Sequence, residues 1–193
     1  MSTEATLEQR LLDLVQRAPW LMEALRCARS LGLPDWCLGA GVLRNLVWDH
    51  LHGHPQPTPA GDLDLCFFDS LDQSAERDAA LQRRLQQLRP QIPWEVTNQA
   101  GVHLWFEAHF GHAVAPLRSL EQAIATWPGT ATAVGVRLET DDRLTLLAPL
   151  GLEDLFAGVV RRNPARVSVA TYLQRIASKR YAQSWPGLQI LPP

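Results

Sequence analysis

The segment Asp62-Leu63-Asp64-Leu65-Cys66-Phe67-Phe68 constrains this chain most. It alternates polar and apolar residues and then turns wholly apolar, the pattern of a half-buried strand entering a core. On a strand, residues two apart share a face, with Cα atoms about 6.5–7 Å apart. Asp62 and Asp64 therefore project together, and Leu63 and Leu65 project to the other side. Two like charges so placed repel, and partial burial sharpens the repulsion. A divalent cation relieves it, because Mg²⁺ takes oxygen ligands, commonly one or two carboxylates plus phosphate oxygens and water. Such a pair alone is also common on solvated strands, so its neighbours decide the reading.

Thr6-Leu7-Glu8-Gln9 has the spacing of a capping box and predicts a helix to about Arg17. Pro19 suits the first turn of a second helix, with Leu21, Leu25 and Ala28 on one face and Gly32 at its end. Asp35–Leu38 reads as a strand. Gly39-Ala40-Gly41 follows as a turn, and Val42 to about Leu51 as a helix that Gly53 can end. The stretch His54–Gly61 contains three prolines and is a loop. Gln73–Arg89 predicts a helix with Ala80, Leu81, Leu85 and Leu88 inward, stopped by Pro90, and Trp94–Thr97 predicts the next strand. Ser119-Leu120-Glu121-Gln122 is a second capping-box pattern, opening a helix that ends near Trp127-Pro128. Residues 133–138 and 144–147 predict a hairpin around Thr140-Asp141-Asp142, and 151–160 and 168–181 predict helices. No repeat, low-complexity run or flexible linker divides the chain. It is expected to be one domain over 1–193, with a core at about 18–110 and a C-terminal extension at about 111–193.

Two features strengthen the carboxylate pair. The glycines of Gly39-Ala40-Gly41 let backbone N–H groups approach phosphate oxygens, and the helix N-terminus that follows favours anions. Arg44, one turn into that helix, can reach the same phosphates, or else pair with Asp49 or another acid. In Trp94-Glu95-Val96 an acid sits between two apolar residues. If that strand lies beside Asp62–Phe68, Glu95 faces the same side as the aspartates and completes a two-metal carboxylate set.

The run GAGVLRNLVWDHLHG, a Pro-rich loop, and then GDLDLCFFD resembles the core of polymerase-β superfamily nucleotidyltransferases. It is similar to the GG-x-VRD-x-LLG … D-x-D pattern of the tRNA CCA-adding enzymes. WEVTNQAGVHLW, WPGTATAVGVRL, APLGLEDLFAGVVRRNP and the closing WPGLQIL extend a second resemblance, to small bacterial nucleotidyltransferase family proteins, from about Trp20 to the end. The resemblance implies an α+β fold: a polymerase-β-type mixed sheet flanked by helices, with a small C-terminal α/β extension. It implies that Gly39 and Gly41 hold a triphosphate, ATP among the candidates, and that Asp62 and Asp64 bind two Mg²⁺ or Mn²⁺ ions. Glu95 then helps bind the catalytic ion and takes the proton of an attacking hydroxyl. The implied activity is transfer of a nucleoside monophosphate to an acceptor that is a small molecule, an RNA end or a protein side chain. No DNA or membrane partner is implied. Ala40 departs from the Gly or Ser of many members, and Asn45 stands where CCA-adding enzymes have Asp. The long helical tRNA-binding portion of those enzymes has no counterpart here, so CCA addition is not the expected role.

Composition sets the bounds. Apolar residues make up 46% of the 193 and charged residues 20%, an ordinary globular balance. No apolar run approaches the roughly 18–20 residues that span a bilayer. MSTEATLEQR lacks a basic-then-apolar leader pattern, and a cytoplasmic location is expected. Cys27, Cys37 and Cys66 are odd in number and widely spaced, which disfavours a disulfide framework or zinc knuckle and makes them buried filler. After Asp154 there are basic residues only: Arg161, Arg162, Arg166, Arg175, Lys179 and Arg180. Such an end can meet phosphates or simply pair with the acidic remainder.

Several residues have a plainer reading. His50, His52 and His54 alternate but straddle a helix and a loop, so no shared metal face is expected. His103 is expected to be a satisfied core histidine, and Asp69 a cap for the next helix. Asn98 and Gln99 can contact substrate, though nothing in the spacing requires it. Trp48 and Trp94 are expected in the core and not stacked on a base. Three other functions compete. A catalytically inactive nucleotide- or partner-binding module has no evident need for three acids. A DxD glycosyltransferase needs a longer upstream nucleotide-binding domain than the 61 residues preceding Asp62. An aspartyl phosphatase motif continues differently from Leu65-Cys66.

Overall fold

The computed structural model describes residues 5–193; the first four residues, part of the segment read for a leader pattern, lie outside the described residues. Helix α1 (Leu7–Gln16) opens on the reciprocal Thr6/Gln9 capping box, and α2 (Pro19–Arg29) has Pro19 in its first turn. Leu21, Leu25 and Ala28 are fully buried, as their spacing predicts. Strand β1 (Asp35–Gly39) leads through Ala40 into α3 (Gly41–Leu51). After the Pro-rich loop come β2 (Leu63–Phe68), α4 (Ala75–Leu88), β3 (Trp94–Asn98) and α5 (Val102–Phe110). The remainder comprises α6 (Leu120–Ile124), β4 (Gly135–Leu138), β5 (Leu144–Leu147), α7 (Glu153–Phe156), β6 (Val159–Val160), α8 (Val169–Lys179), α9 (Tyr181–Ser184) and β7 (Gln189–Ile190).

The main sheet has the order β3-β2-β1-β4-β5, with β2 and β3 parallel and the other pairs antiparallel. It is the expected mixed sheet of an α+β fold. Leu63, Leu65 and Phe67 point to one face, into the large core formed with α1, α2 and α3. Cys66 points to the other, into a smaller cluster with Cys37, Leu120 and Ile124. Burial pushes the Cys37 and Cys66 thiols up, so both remain neutral packing groups. All three cysteines are free. Among the described residues no helix is long and apolar enough to cross a membrane.

Four expectations are corrected. In α4 only Leu85 is fully buried, while Ala80 and Leu88 are exposed. The helix lies along β3, the free edge of the sheet, and turns polar groups toward it. Asp78 accepts from the Asn98 N–H at 2.9 Å and Gln82 from the Val96 N–H at 3.2 Å. These bonds occupy edge donors that would otherwise invite another strand. Residues 151–160 are helical only over Glu153–Phe156. Gly158, at φ +66°, ends the helix, and Val159–Val160 pairs in parallel with Gln189–Ile190. The helix after Ser168 breaks at Arg180, held in the left-handed region, so Tyr181 starts α9 instead of ending α8. Finally, Gln122 does not close its capping box. It accepts from the Arg118 N–H at 2.7 Å, while Ser119 accepts from the Gln122 N–H.

Candidate active site

Strand register places the acids. Asp64 sits opposite Gly39 on one side and Glu95 on the other. A parallel pair carries directly opposed residues on the same face, so the Asp62/Asp64 pair and Glu95 converge. One oxygen from each of the three carboxylates lies within 4.8 Å of the others. Asp62 and Asp64 are half-buried and Glu95 is exposed. Burial, reinforced by the charges of Asp62 and Glu95, pushes the Asp64 carboxyl up to about 7.

The acids line a cleft of about 350 Å³. At the Asp62 end stands the start of α3. Ala40 precedes it at φ 55°, ψ −119°, outside the comfortable region for a residue with a Cβ, and supplies no side-chain cap. The first-turn N–H groups of a helix have no intrahelical partner and favour an anion. Ala40 and Gly41 both line the cleft. Gly39 also has a packing role. A Cβ there would lie 2.6 Å from the Val134 carbonyl oxygen and 3.0 Å from the Trp127 ring. Its hydrogen lets β4 and Trp127 close against β1.

Arg44 lines the same cleft but is buried and tethered. It donates to Asn45 Oδ1 at 2.8 Å and to the Tyr181 hydroxyl at 3.4 Å, with its guanidinium over the Trp48 and Tyr181 rings. Its Nε has no partner among the described residues. Burial lowers its pKa from the usual guanidinium value. Asp49, weighed above as its partner, is engaged elsewhere. It accepts from Thr58 N–H at 2.7 Å and from Trp185 Nε1–H at 2.9 Å, and so ties the Pro-rich loop to the C-terminal segment.

Two cations were legible only as part of a basic C-terminal end. Arg175 and Lys179, one turn apart on α8, both line the cleft, and their charges partly offset the rise that burial and the neighbouring acids impose on Asp64. Other members of that basic end serve packing: Arg161 pairs with Asp154 at 2.8 Å, and Arg162 donates to the Val167 carbonyl at 2.7 Å. The sequence also left α5 unassigned. Its Trp105, Phe106 and Phe110 line the end of the cleft away from Asp62.

The plainer residues fall as follows. Asn98 is buried and binds backbone: its Nδ2 donates to the Asp69 and Asp72 carbonyls, and its Oδ1 accepts from Ala100 and Asp69 N–H. Gln99 lines the cleft. Asp69 is no helix cap; it accepts from the Leu71 N–H and pairs with Arg77 at 2.8 Å. His103 is half-buried with its Nδ1 unpartnered among the described residues, not satisfied as expected. His52 Nδ1 lies 2.8 Å from the Trp48 carbonyl and His54 Nδ1 3.0 Å from Asp49, while His50 is exposed. Trp48 and Trp94 are both buried in the large core.

A nucleotidyltransferase family model matches residues 26–190. Among solved structures, a protein described as revealing a CCA-adding enzyme head domain is 30% identical, with a TM-score of 0.79 over 100% of this chain and 98% of its own. A CCA-adding enzyme in complex with CTP is 14% identical, with a TM-score of 0.55 over 94% of this chain and 42% of its own. The Thermotoga maritima CCA-adding enzyme complexed with tRNA is 14% identical, with a TM-score of 0.54 over the same shares. At that identity the likeness to the two full enzymes is one of fold, and the chain spans about 42% of their length. No curated protein matches the chain.

Proposed function

The chain belongs to this nucleotidyltransferase family, and on that premise we propose that it transfers a nucleoside monophosphate from a nucleoside triphosphate to a hydroxyl-bearing acceptor, releasing pyrophosphate. One observation carries the reading: Asp62, Asp64 and Glu95 converge beside a helix N-terminus that no side chain caps.

The donor set fits Mg²⁺ or Mn²⁺. It is all carboxylate oxygen, and the three acids crowd together where burial and their mutual charge both disfavour the anions, a cost that a divalent cation offsets. Asp62 and Asp64 would hold both ions and Glu95 one of them. When bound, such ions neutralise phosphate charge and make a hydroxyl more acidic.

The chain's own residues position the reactants. The first-turn N–H groups of α3, from Gly41 onward, hold phosphate oxygens, and Arg175 and Lys179 close over the phosphates from α8. Arg44 adds fixed positive charge at the same end, held in place by Asn45 and Tyr181. The acceptor hydroxyl oxygen bonds to the α-phosphorus, and the bond from that phosphorus to the bridging oxygen breaks. Pyrophosphate leaves with the electron pair, and the hydroxyl proton passes to Glu95 and then to water. Catalysis of this kind is mostly positioning and electrostatics.

The reading treats residues 5–193 as one working unit, because β4 and β5 from the C-terminal half join β1 in the same sheet. Three free cysteines agree with a cytoplasmic location. The test is a thermal-shift titration with Mg²⁺ or Mn²⁺ and each of the four ribonucleoside triphosphates. A ligand at about 100 times its dissociation constant adds about 2.7 kcal/mol. A metal-dependent shift, larger for one base, supports the reading and names the donor. Absence of any shift from a folded protein contradicts it and favours the partner-binding alternative.

A further inference from the structure

We propose that the acceptor is a small molecule with a planar, largely apolar ring system, seated between α5 and Arg166 at the end of the cleft away from Asp62. This rests on the nucleotidyl-transfer reading and adds the acceptor's chemical class.

The cleft has a direction set by the strands. Asp62, Asp64 and Cys66 follow one another along β2, and Glu95, Thr97 and Gln99 run alongside from β3; all six line the cleft. Each step of two residues advances about 6.5–7 Å. Moving one way, past Asp62, the cleft meets Gly41 and Lys179, which also line a polar side pocket there. Moving the other way, past Cys66 and Thr97, it meets Val102, Trp105, Phe106, Phe110 and Leu117. The phosphate-binding groups and the aromatic lobe therefore flank the acids on opposite sides. In-line displacement puts the leaving pyrophosphate and the attacking hydroxyl on opposite sides of the α-phosphorus. With the pyrophosphate at the Asp62 end, the hydroxyl enters from the lobe side and meets Glu95 opposite Asp64.

The lining suits a ring. Phe106 and Phe110 have ring centroids 4.5 Å apart, and Trp105 stacks on Phe106 at 6.2 Å. Trp105 packs on Phe106, His109 and Phe110 yet remains 45% exposed, which leaves apolar ring surface open at the cleft. Polar groups are few, as in small-molecule sites that use them only for orientation. Gln99 and Thr97 offer hydrogen bonds from the floor. Arg166 lies over the Phe106 ring and donates to the Ala115 carbonyl, while its second terminal nitrogen, Nη1, has no partner among the described residues.

Charge argues against a nucleic-acid strand in the lobe. A single strand needs cations along its backbone track. The cleft's Arg44, Arg175 and Lys179 line it toward the Asp62 end, α5 carries Glu107 and no lysine or arginine, and the lobe's one cation, Arg166, is a single charge and not a track.

The experiment uses the whole protein and ligand-observed NMR. Three hydroxyl-bearing probes are compared at equal concentration: 2-(indol-3-yl)ethanol, sorbitol, and an oligoribonucleotide with a free 3′ hydroxyl. The indole alcohol should bind at least tenfold better than the other two, without metal or nucleotide. Because Trp105 is half exposed, Trp105→Ala folds, and it should weaken that probe tenfold or more; Trp105→Phe should restore most of the binding. A non-hydrolysable ATP analogue with Mg²⁺ should bind alongside the probe without competing. Competition would assign the lobe to the nucleotide base and overturn the inference, as would preferential binding of the oligoribonucleotide, or indole binding untouched by Trp105→Ala. Failure of the corresponding analogues of all four ribonucleoside triphosphates to bind, with the indole probe still bound, sinks the transfer reading instead and with it the role of acceptor.

Discussion

The two ends of the cleft are built by different means. At the Asp62 end the three acids sit on neighbouring strands beside the turn into α3, and register brings them together, Asp64 opposite both Gly39 and Glu95, with Arg175 and Lys179 added from α8. At the α5 end the lining arrives from a helix and loops after residue 99, through tertiary packing. On the proposed reading, the metal-binding acids occupy the sheet, and the groups for selection occupy a helix that can vary around it. The contrast predicts that damage at one end stops transfer and damage at the other changes what is accepted.

The largest effect sharpens the first half of that contrast. Asp64→Ala should lower metal-dependent transfer on the order of a thousandfold, comparable to removing a main electrostatic stabiliser. The folded far-UV circular dichroism spectrum should be unchanged. Gly39→Ala breaks the frame that holds the acids. A Cβ against the Val134 carbonyl and the Trp127 ring should destabilise the protein by about 3 kcal/mol, read by urea unfolding.

The Asp64 carboxyl gives a pH signature. Its folded pKa of about 7 stands above the ordinary 3.8. Between those values the folded protein holds a proton that the unfolded chain has released. In metal-free protein this group therefore lowers stability as pH rises through that window, and the loss is complete above it. Asp64→Asn should raise metal-free stability by about 2 kcal/mol at pH 8 and by nearly nothing near pH 3, once partial exposure is allowed for. Smaller still, Lys179→Ala should weaken nucleotide binding about tenfold, or about 1.4 kcal/mol, with no loss of fold. The smallest effect lies at Ala40, whose φ of 55° favours glycine. Ala40→Gly should stabilise by about 0.5–1 kcal/mol, the strain relieved less the extra chain entropy, measured by thermal unfolding.

The same contrast explains what the sequence disclosed. Strand periodicity and short-range caps are local, so Asp62, Asp64, Glu95, the Thr6 cap and the residue 135–147 hairpin could be read directly. Helix α5 could not. VHLWFEAHF is apolar on nearly every side and shows no helical stripe, and its one clear signal was Gly111, which ends it at φ 79°. The pairing of Val159–Val160 with Gln189–Ile190 joins segments about thirty residues apart and leaves no local trace. Nothing local marks Asp78 and Gln82, because their partners, the edge N–H groups of β3, exist only once the sheet forms. Gly39 was read for phosphate approach; its packing role, the close contact of β1 with Val134 and Trp127, depends on residues far along the chain and left no local sign.

The account's central claim is that Asp62, Asp64 and Glu95 act together as one cation site. A Mn²⁺ titration followed by the electron paramagnetic resonance of the free ion, with and without a non-hydrolysable nucleoside triphosphate, tests it directly. Wild-type protein should remove free Mn²⁺ from solution, more strongly with the triphosphate, and Asp62→Ala/Asp64→Ala should not. A double variant that takes up Mn²⁺ as well as the wild type would contradict the claim.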